Sequence, residues 1–177
     1  MVNMDQLVAK ILRQRAVVPE GRSLLVGVSG IDGGGKGYVA KQIEARLALH
    51  SIAAANINAD RWLNLPDRRF NAAKPAEHFY EYRNLFDLTI WVDCSFPTAL
   101  ARALARAQEG LSPAETIRAY ETIYFPAQKI HFARDNPRET ADLIIDNDQT
   151  TAVATGRTRL GQRRQGLWLQ AAQLQRL

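Results

Sequence analysis

Residues 27 to 38 read Gly27-Val28-Ser29-Gly30-Ile31-Asp32-Gly33-Gly34-Gly35-Lys36-Gly37-Tyr38, and the organisation of the chain can be inferred outward from them. An apolar run over 23 to 28 leads into this stretch, and an amphipathic run over 39 to 49 leads out of it. A short apolar run before glycines is typical of a buried strand, and apolar residues at helical spacing predict a helix. The sequence therefore predicts a strand, a glycine loop and a helix in succession.

The spacing from Gly30 to Lys36 matches the pattern G-x-x-x-x-G-K, in which loop amides and a lysine bind phosphate groups. Glycines accept positive φ and have no Cβ, so backbone N–H groups at the helix N-terminus can point at phosphate oxygens. The alternative is a glycine-rich turn without a ligand. The predicted nucleotide-binding residues are Gly30, Ile31, Asp32, Gly33, Gly34, Gly35, Lys36, Gly37 and Tyr38.

Position 37 departs from the pattern, which normally ends on a Ser or Thr whose hydroxyl ligates Mg²⁺. The residue here is Gly37, which has no hydroxyl. The loop is therefore better evidence for phosphate binding than for metal binding.

The composition is that of a globular protein, with 177 residues, 46% hydrophobic residues and 23% charged residues. This length predicts one main domain, over residues 1 to 150, followed by a tail over 151 to 177. No apolar run approaches the roughly 20 residues that span a bilayer, and no export signal precedes the domain. A cytoplasmic location is expected, and the single cysteine, Cys94, fits a reducing compartment as a packed thiol.

The formal net charge of +5 comes from the tail, which holds five arginines and no Asp or Glu. A basic tail can bind RNA or acidic partners. Because the tail has few aromatic residues, a solvated terminal helix is the preferred interpretation, and nucleic acid is not expected as a partner.

Helical and strand patterns alternate along the rest of the chain. We predict a helix over 4 to 15 and further strands over 51 to 60, 88 to 93 and 141 to 147. This alternation predicts an α/β fold with a parallel sheet flanked by helices. The carboxyl ends of the strands face the ligand crevice of such a sheet, which makes Asp60 the leading candidate acid.

Two arginines lie in the helix that follows the strand at 88 to 93. Ser95 is predicted to cap this helix and Gly110 to end it. Arg102 and Arg106 are four residues apart and therefore on one face. Beside a phosphate loop they can clamp phosphates, and the alternative is a solvated basic face.

A second helix is predicted after Ser112, which forms a capping box with Glu115. We expect this helix to run toward Tyr124 and to stop before Pro126.

Aromatic and basic residues without a clear period fill 61 to 71, and more aromatics follow over 76 to 83. Such a composition is typical of a loop that contacts a substrate. The rings can stack on a base or cover the core, and a single histidine is more often a surface residue than a catalytic one. The candidate substrate-binding residues are Trp62, Phe70, His78 and Tyr80.

From about residue 22 to 147 the chain resembles the uridine kinase and phosphoribulokinase family of P-loop kinases. The loop motif is specific for nucleotide binding, whereas the later motifs carry weight mainly through their order. The residues concerned are Ser29-Gly30-Ile31-Asp32-Gly33-Gly34-Gly35-Lys36, Asp60-Arg61-Trp62, Trp91-Val92-Asp93, Leu100-Ala101-Arg102, Arg106, Tyr120, Pro126 and Ala141-Asp142-Leu143-Ile144-Ile145.

The resemblance implies a three-layer P-loop NTPase fold and transfer of the ATP γ-phosphate to a hydroxyl of uridine, cytidine or another small metabolite. Asp60 matches the family's acid, which orients the acceptor hydroxyl, and Arg102 and Arg106 match its lid arginines. Lys36 would hold the terminal phosphates. With Gly37 in place of a hydroxyl, Mg²⁺ would be bound by water, Asp60 and the phosphates.

Family members have a further strand beside the P-loop strand, and only a few residues separate Tyr82 from Leu85 here, so no counterpart is predicted. Loss of that strand would leave backbone groups unpaired, unless another segment or a second copy of the chain replaces it. The alternative function is therefore a nucleotide-binding regulatory or interaction protein without kinase turnover.

Overall fold

The protein is described here from a computed structural model, which covers residues 1 to 58, 83 to 107 and 110 to 148. The predictions for Asp60, for the aromatic substrate residues and for the basic tail lie outside these described residues. The helices and strands are α1 (Met4–Val17), β1 (Val26–Gly30), α2 (Lys36–Leu49), β2 (Leu88–Asp93), α3 (Phe96–Arg106), α4 (Pro113–Ala119), α5 (Phe125–Asp135), α6 (Pro137–Thr140) and β3 (Leu143–Asp146).

The three strands form a parallel sheet in the order β1-β2-β3. Gly30 at the end of β1 is in register with Val92 of β2, and Asp93 at the end of β2 is in register with Asp146 of β3. All three carboxyl ends therefore meet at one edge of the sheet. This is the edge at which parallel α/β sheets bind ligands.

Helices cover both faces of the sheet, as the α/β pattern predicted. One face packs against α1 and α2, and the other packs against Ala99 of α3 and Phe132 of α5. β2 is the most deeply buried strand, which agrees with its almost continuous apolar sequence. The buried apolar residues on the face that packs against α1 and α2 are Leu7, Val8, Ile11, Val39, Ile43, Leu47, Leu88, Ile90, Val92 and Ile145.

The strand predicted over 51 to 60 is not formed within its described part. Ile52 packs against the core, whereas residues 53 to 58 are exposed and have no regular structure. Three of these residues are alanines, which have low strand propensity and little apolar surface to bury. Within the described residues β1 pairs with β2 alone.

Both helix ends predicted for the second half of the chain were wrong. α3 ends at Arg106 and not at Gly110, because Ala107 adopts a left-handed conformation (φ 47°), although its N–H still makes the helical hydrogen bond to the carbonyl of Ala103. The helical path also continues through Pro126, because a π-helical turn, Tyr120–Tyr124, joins α4 to α5. Pro126 is the second residue of α5 and directly follows this π-helical turn, where the hydrogen-bond register of the helix changes and proline has no N–H to donate.

Other predicted elements are confirmed. They include α1, β2, β3, the Ser95 cap of α3 and the Ser112–Glu115 capping box of α4. Among the described residues, no helix is both long enough and apolar enough to cross a bilayer.

We expect Ala107→Gly to stabilise the protein by about 0.5–1 kcal/mol, because glycine adopts the left-handed conformation without the steric cost of a Cβ. Ala101→Gly, in the exposed interior of the same helix, is the matched control and should destabilise by a similar amount. Urea denaturation of both variants measures the difference. A loss of stability in Ala107→Gly would contradict the left-handed assignment.

Candidate functional site

The loop between β1 and α2 forms the centre of the candidate site. Its turn is closed by a hydrogen bond from the N–H of Gly34 to the carbonyl of Ile31 (3.0 Å). Gly35 is the N-cap of α2 and has a φ of 92°. Because glycine has no side chain, the helix start has no side-chain cap. The first N–H groups of a helix lack intrahelical acceptors, and the helix dipole makes this end partly positive. The loop therefore offers backbone donors to an anion.

The loop lies directly against β2 and α3. A Cβ added to Gly30 would lie 2.7 Å from the carbonyl oxygen of Val92, and one added to Gly33 would lie 2.6 Å from that of Ala99. Gly33 also has a φ of 76°, in the left-handed region. Any larger residue at these two positions would push the loop away from the sheet. Close approach therefore explains part of the glycine content of the loop.

Lys36 is folded back onto the loop. Its Nζ donates to the carbonyl oxygens of Gly30 and Ile31, both at 3.0 Å, and lies 3.5 Å from Oδ1 of Asp32. The lysine side chain is 34% exposed and that of Asp32 is 45% exposed, so their ion pair contributes little stability. A flexible ammonium group held mainly by neutral carbonyls can move to a bound phosphate.

Arg102 also contacts the loop. Its Nη1 donates to the carbonyl of Gly34 (3.3 Å) and lies 3.4 Å from Sγ of Cys94, while its Nη2 donates to the carbonyl of Asn147 (2.7 Å). The structure thus places Arg102 against the predicted phosphate loop, on the side of the Gly34 carbonyl. Arg106 lies one turn farther along α3 and is exposed.

The remaining predicted loop residues differ in their surroundings. Tyr38 is 62% exposed in the first turn of α2, and Ile31 is almost fully buried against Trp91 and Ala99. A Cβ added to Gly37 would meet no atom within 4 Å. Packing therefore does not require glycine at position 37.

Asn147 is a residue of this site that the sequence did not single out as functional. Its Nδ2 donates to the carbonyl of Gly34 (2.8 Å), and its own N–H donates to the carbonyl of Asp93 (2.8 Å). The sequence did predict a strand over 141 to 147, and Asn147 is the last residue of that range. The sequence could therefore indicate that Asn147 lies at the carboxyl edge of the sheet. It could not indicate that the side chain contacts the glycine loop.

Asp148 and Cys94 lie beside this network. Oδ1 of Asp148 accepts from the N–H and the hydroxyl of Ser95 (2.9 and 2.8 Å), at the N-terminus of α3. The Ser95 N–H, followed by the hydroxyls of Thr98 and Ser95, holds the pKa of Asp148 below its ordinary value. Burial raises the pKa of the Cys94 thiol, and the charge of Arg102 opposes this only in part. A protonated thiol agrees with the packed Cys94 that the sequence predicted.

The described residues fit a polyphosphate better than a metal ion. The loop amides, Lys36 and Arg102 supply donors and positive charge. Gly37 has no hydroxyl to ligate Mg²⁺, and no group of three His, Cys, Asp or Glu residues suited to a metal ion occurs in the described part of the chain.

Fold and site together define the class of protein: a mixed α/β protein in which a glycine loop and a lysine connect a parallel strand to a helix. No family model matches the chain, and no curated protein matches its sequence. Its fold is similar to the crystal structure of a "putative fructose transport system kinase" from Silicibacter sp. TM1040, with a TM-score of 0.62 and 15% sequence identity. The match covers 82% of this chain and 100% of the other. At this identity the similarity is one of fold.

We expect the ionised Asp148 to stabilise the N-terminus of α3. Because its pKa is lowered in the folded protein, this stabilisation is present above the pKa of the unfolded chain, at about 4, and is lost as the pH falls through the lower folded value. Asp148→Asn should therefore be less stable than the unmodified protein at neutral pH. The difference in stability between the two proteins, measured by thermal denaturation, should be constant above about pH 5 and should shrink below about pH 4. A difference that stayed constant on acidification would contradict this role.

Proposed function

We propose that the protein is a P-loop kinase that transfers the γ-phosphoryl group of ATP to a hydroxyl of a nucleoside, such as uridine or cytidine, or of another small metabolite. The observation that carries this proposal is the glycine loop at the carboxyl edge of the sheet, with Lys36 and Arg102 both in contact with its backbone. The fold similarity to a protein whose name is that of a kinase adds support.

Phosphoryl transfer depends mainly on positioning and on positive charge, because it requires little covalent chemistry from the protein. In the proposed reaction the loop amides and Lys36 hold the ATP phosphates. Arg102 neutralises charge on the transferring group, and Arg106 joins it from the next turn of α3. Asp60 orients the acceptor hydroxyl, and Trp62, Phe70, His78 and Tyr80 contact the acceptor.

The second candidate is a nucleotide-binding regulatory or interaction protein without turnover. Two observations favour it. Gly37 lacks the metal-ligating hydroxyl, and the sequence has only a few residues between Tyr82 and Leu85, where the kinase family that it resembles has a further strand. ATP binding is common to both candidates, and only phosphoryl transfer separates them.

Binding is tested by calorimetric titration of the protein with ATP. We expect Lys36→Ala to weaken ATP binding by about tenfold or more, because a hydrogen bond to a charged group contributes about 1.5–3 kcal/mol. Lys41→Ala, on an exposed position of the same helix, is the matched control and should change affinity by less than about twofold. A failure of the unmodified protein to bind ATP would refute both candidate functions.

Transfer is tested with ATP labelled in its γ-phosphate and a panel of nucleosides and sugars. We expect a labelled product with at least one acceptor, and we expect Asp60→Asn to abolish it while ATP binding is retained, because the substitution removes the carboxylate that orients the hydroxyl. Full activity in Asp60→Asn would show that the acid is assigned wrongly. ATP binding without product across the whole panel would select the second candidate.

Mg²⁺ is part of the proposal as a companion of ATP, bound by the phosphates, water and Asp60 rather than by the loop. Position 37 has room for a hydroxyl, since an added Cβ meets no atom within 4 Å. We therefore expect Gly37→Ser to raise the ratio of ATP affinity in Mg²⁺ to that in EDTA by about threefold or more, which corresponds to one modest polar contact. Gly37→Ala shares the gain in helix propensity and should leave the ratio unchanged. An equal ratio in both variants would mean that residue 37 does not face the metal.

A further inference from the structure

We propose that Asn147 is a positioning residue that fixes the peptide group between Gly34 and Gly35, so that the Gly35 N–H is held ready for a phosphate oxygen. This inference rests on the proposed nucleotide binding. It concerns how the loop is kept in a binding conformation.

The peptide between two glycines needs an external restraint. Neither Gly34 nor Gly35 has a Cβ, so this peptide can rotate at low cost between orientations that other residues would exclude. The carbonyl and the N–H of a trans peptide point in opposite directions. Whatever holds the carbonyl of Gly34 therefore also decides where the N–H of Gly35 points.

Two donors hold that carbonyl. Nδ2 of Asn147 approaches the Gly34 oxygen to 2.8 Å, and Nη1 of Arg102 approaches it to 3.3 Å. The shorter contact has the geometry of an ordinary hydrogen bond, and the longer one is weaker. Asn147 is therefore the principal restraint, and the Gly35 N–H points to the side of the loop away from it.

Asn147 can act as a restraint because its own backbone is fixed from two sides. Its N–H donates to the carbonyl of Asp93 at the end of β2 (2.8 Å), and its carbonyl accepts from Nη2 of Arg102 on α3 (2.7 Å). These contacts connect the ends of β2 and β3, the helix α3 and the glycine loop. Movement of the loop peptide would require movement of this whole edge or loss of the Asn147 hydrogen bond.

Gly35 and Asn147 also fit each other sterically. A Cβ on Gly35 would collide with Nδ2 of Asn147, so the side-chain amide occupies the space that any other residue at position 35 would need. A Cβ at position 35 would therefore displace this amide from the Gly34 carbonyl, and the positive φ of 92° also favours glycine there.

The test uses Asn147→Asp, which keeps the shape of the side chain and replaces the amide donor by a carboxylate oxygen. Repulsion between this oxygen and the Gly34 carbonyl should turn the peptide, so that the Gly35 N–H faces the carboxylate. We expect ATP affinity, measured by calorimetry, to fall by about tenfold or more. Asn147→Ala should lose less, because Arg102 still holds the carbonyl.

Asp146→Asn is the matched control, since it makes the reverse exchange of acid and amide at the exposed neighbouring position. It should change ATP affinity by less than about twofold. Circular dichroism and melting temperatures without nucleotide should show that every variant is folded at the temperature of the titration. Unchanged ATP affinity in folded Asn147→Asp would overturn the inference.

The amide resonance of Gly35 in nitrogen–proton NMR spectra gives a readout that a purely structural role would not move. In nucleotide-free protein we expect it to shift in Asn147→Asp and to stay in place in Asp146→Asn. An unchanged Gly35 resonance in Asn147→Asp would overturn the inference even if ATP binds. If the unmodified protein binds no ATP, the proposed function fails, and the resonance still decides whether Asn147 orients the peptide.

Discussion

The site depends on the direct contact between the backbone of the glycine loop and the backbone of β2 and α3. Added Cβ atoms at Gly30 and Gly33 would lie only 2.7 and 2.6 Å from the carbonyl oxygens of Val92 and Ala99. Such distances are too short for any side chain. The loop can therefore lie against the sheet only with glycine at these positions. This close approach brings the Gly34 carbonyl within reach of Arg102 and Asn147.

The core determines where these partners lie. Ala99 and Ala103 are fully buried, and Ala99 packs with Ile31 and Trp91 on the face of the sheet that carries α3. Small residues at an interface allow a helix to approach closely, and here they set α3 near enough for the arginine between them to reach the loop. The opposite face is filled by larger residues of α1 and α2, which fix the start of α2 behind the glycines. The positions of the charged groups in the site therefore depend on apolar packing on both faces of the sheet.

Local patterns in the sequence predicted the strand-loop-helix at 23 to 49, β2, β3 and the two helix caps, because each depends on residues close together in the chain. The failures had physical causes of the same local kind: alanines could not form a strand over 53 to 58, Ala107 took the role expected of Gly110, and a π-helical turn accommodated Pro126. The network around the loop was not predictable in this way. The hydrogen bonds of Asn147 to Gly34 and of Arg102 to Asn147 join residues 113 and 45 positions apart.

The hydrogen bonds of Lys36 also bear on the charge that the site presents. Elsewhere Arg22 forms a bidentate pair with Asp87 (2.9 and 2.6 Å), so that each charge is offset by the other. At the loop, by contrast, Lys36 donates to two carbonyl oxygens, which satisfy its hydrogen bonds without cancelling its charge. Within the described residues Lys36 forms an ion pair with Asp32, whose carboxylate is 3.5 Å away and 45% exposed, so it offsets little of the lysine charge in water. In the proposed function a polyphosphate would give Lys36 a charged acceptor in place of neutral carbonyls, and hydrogen bonds to charged acceptors are the stronger ones.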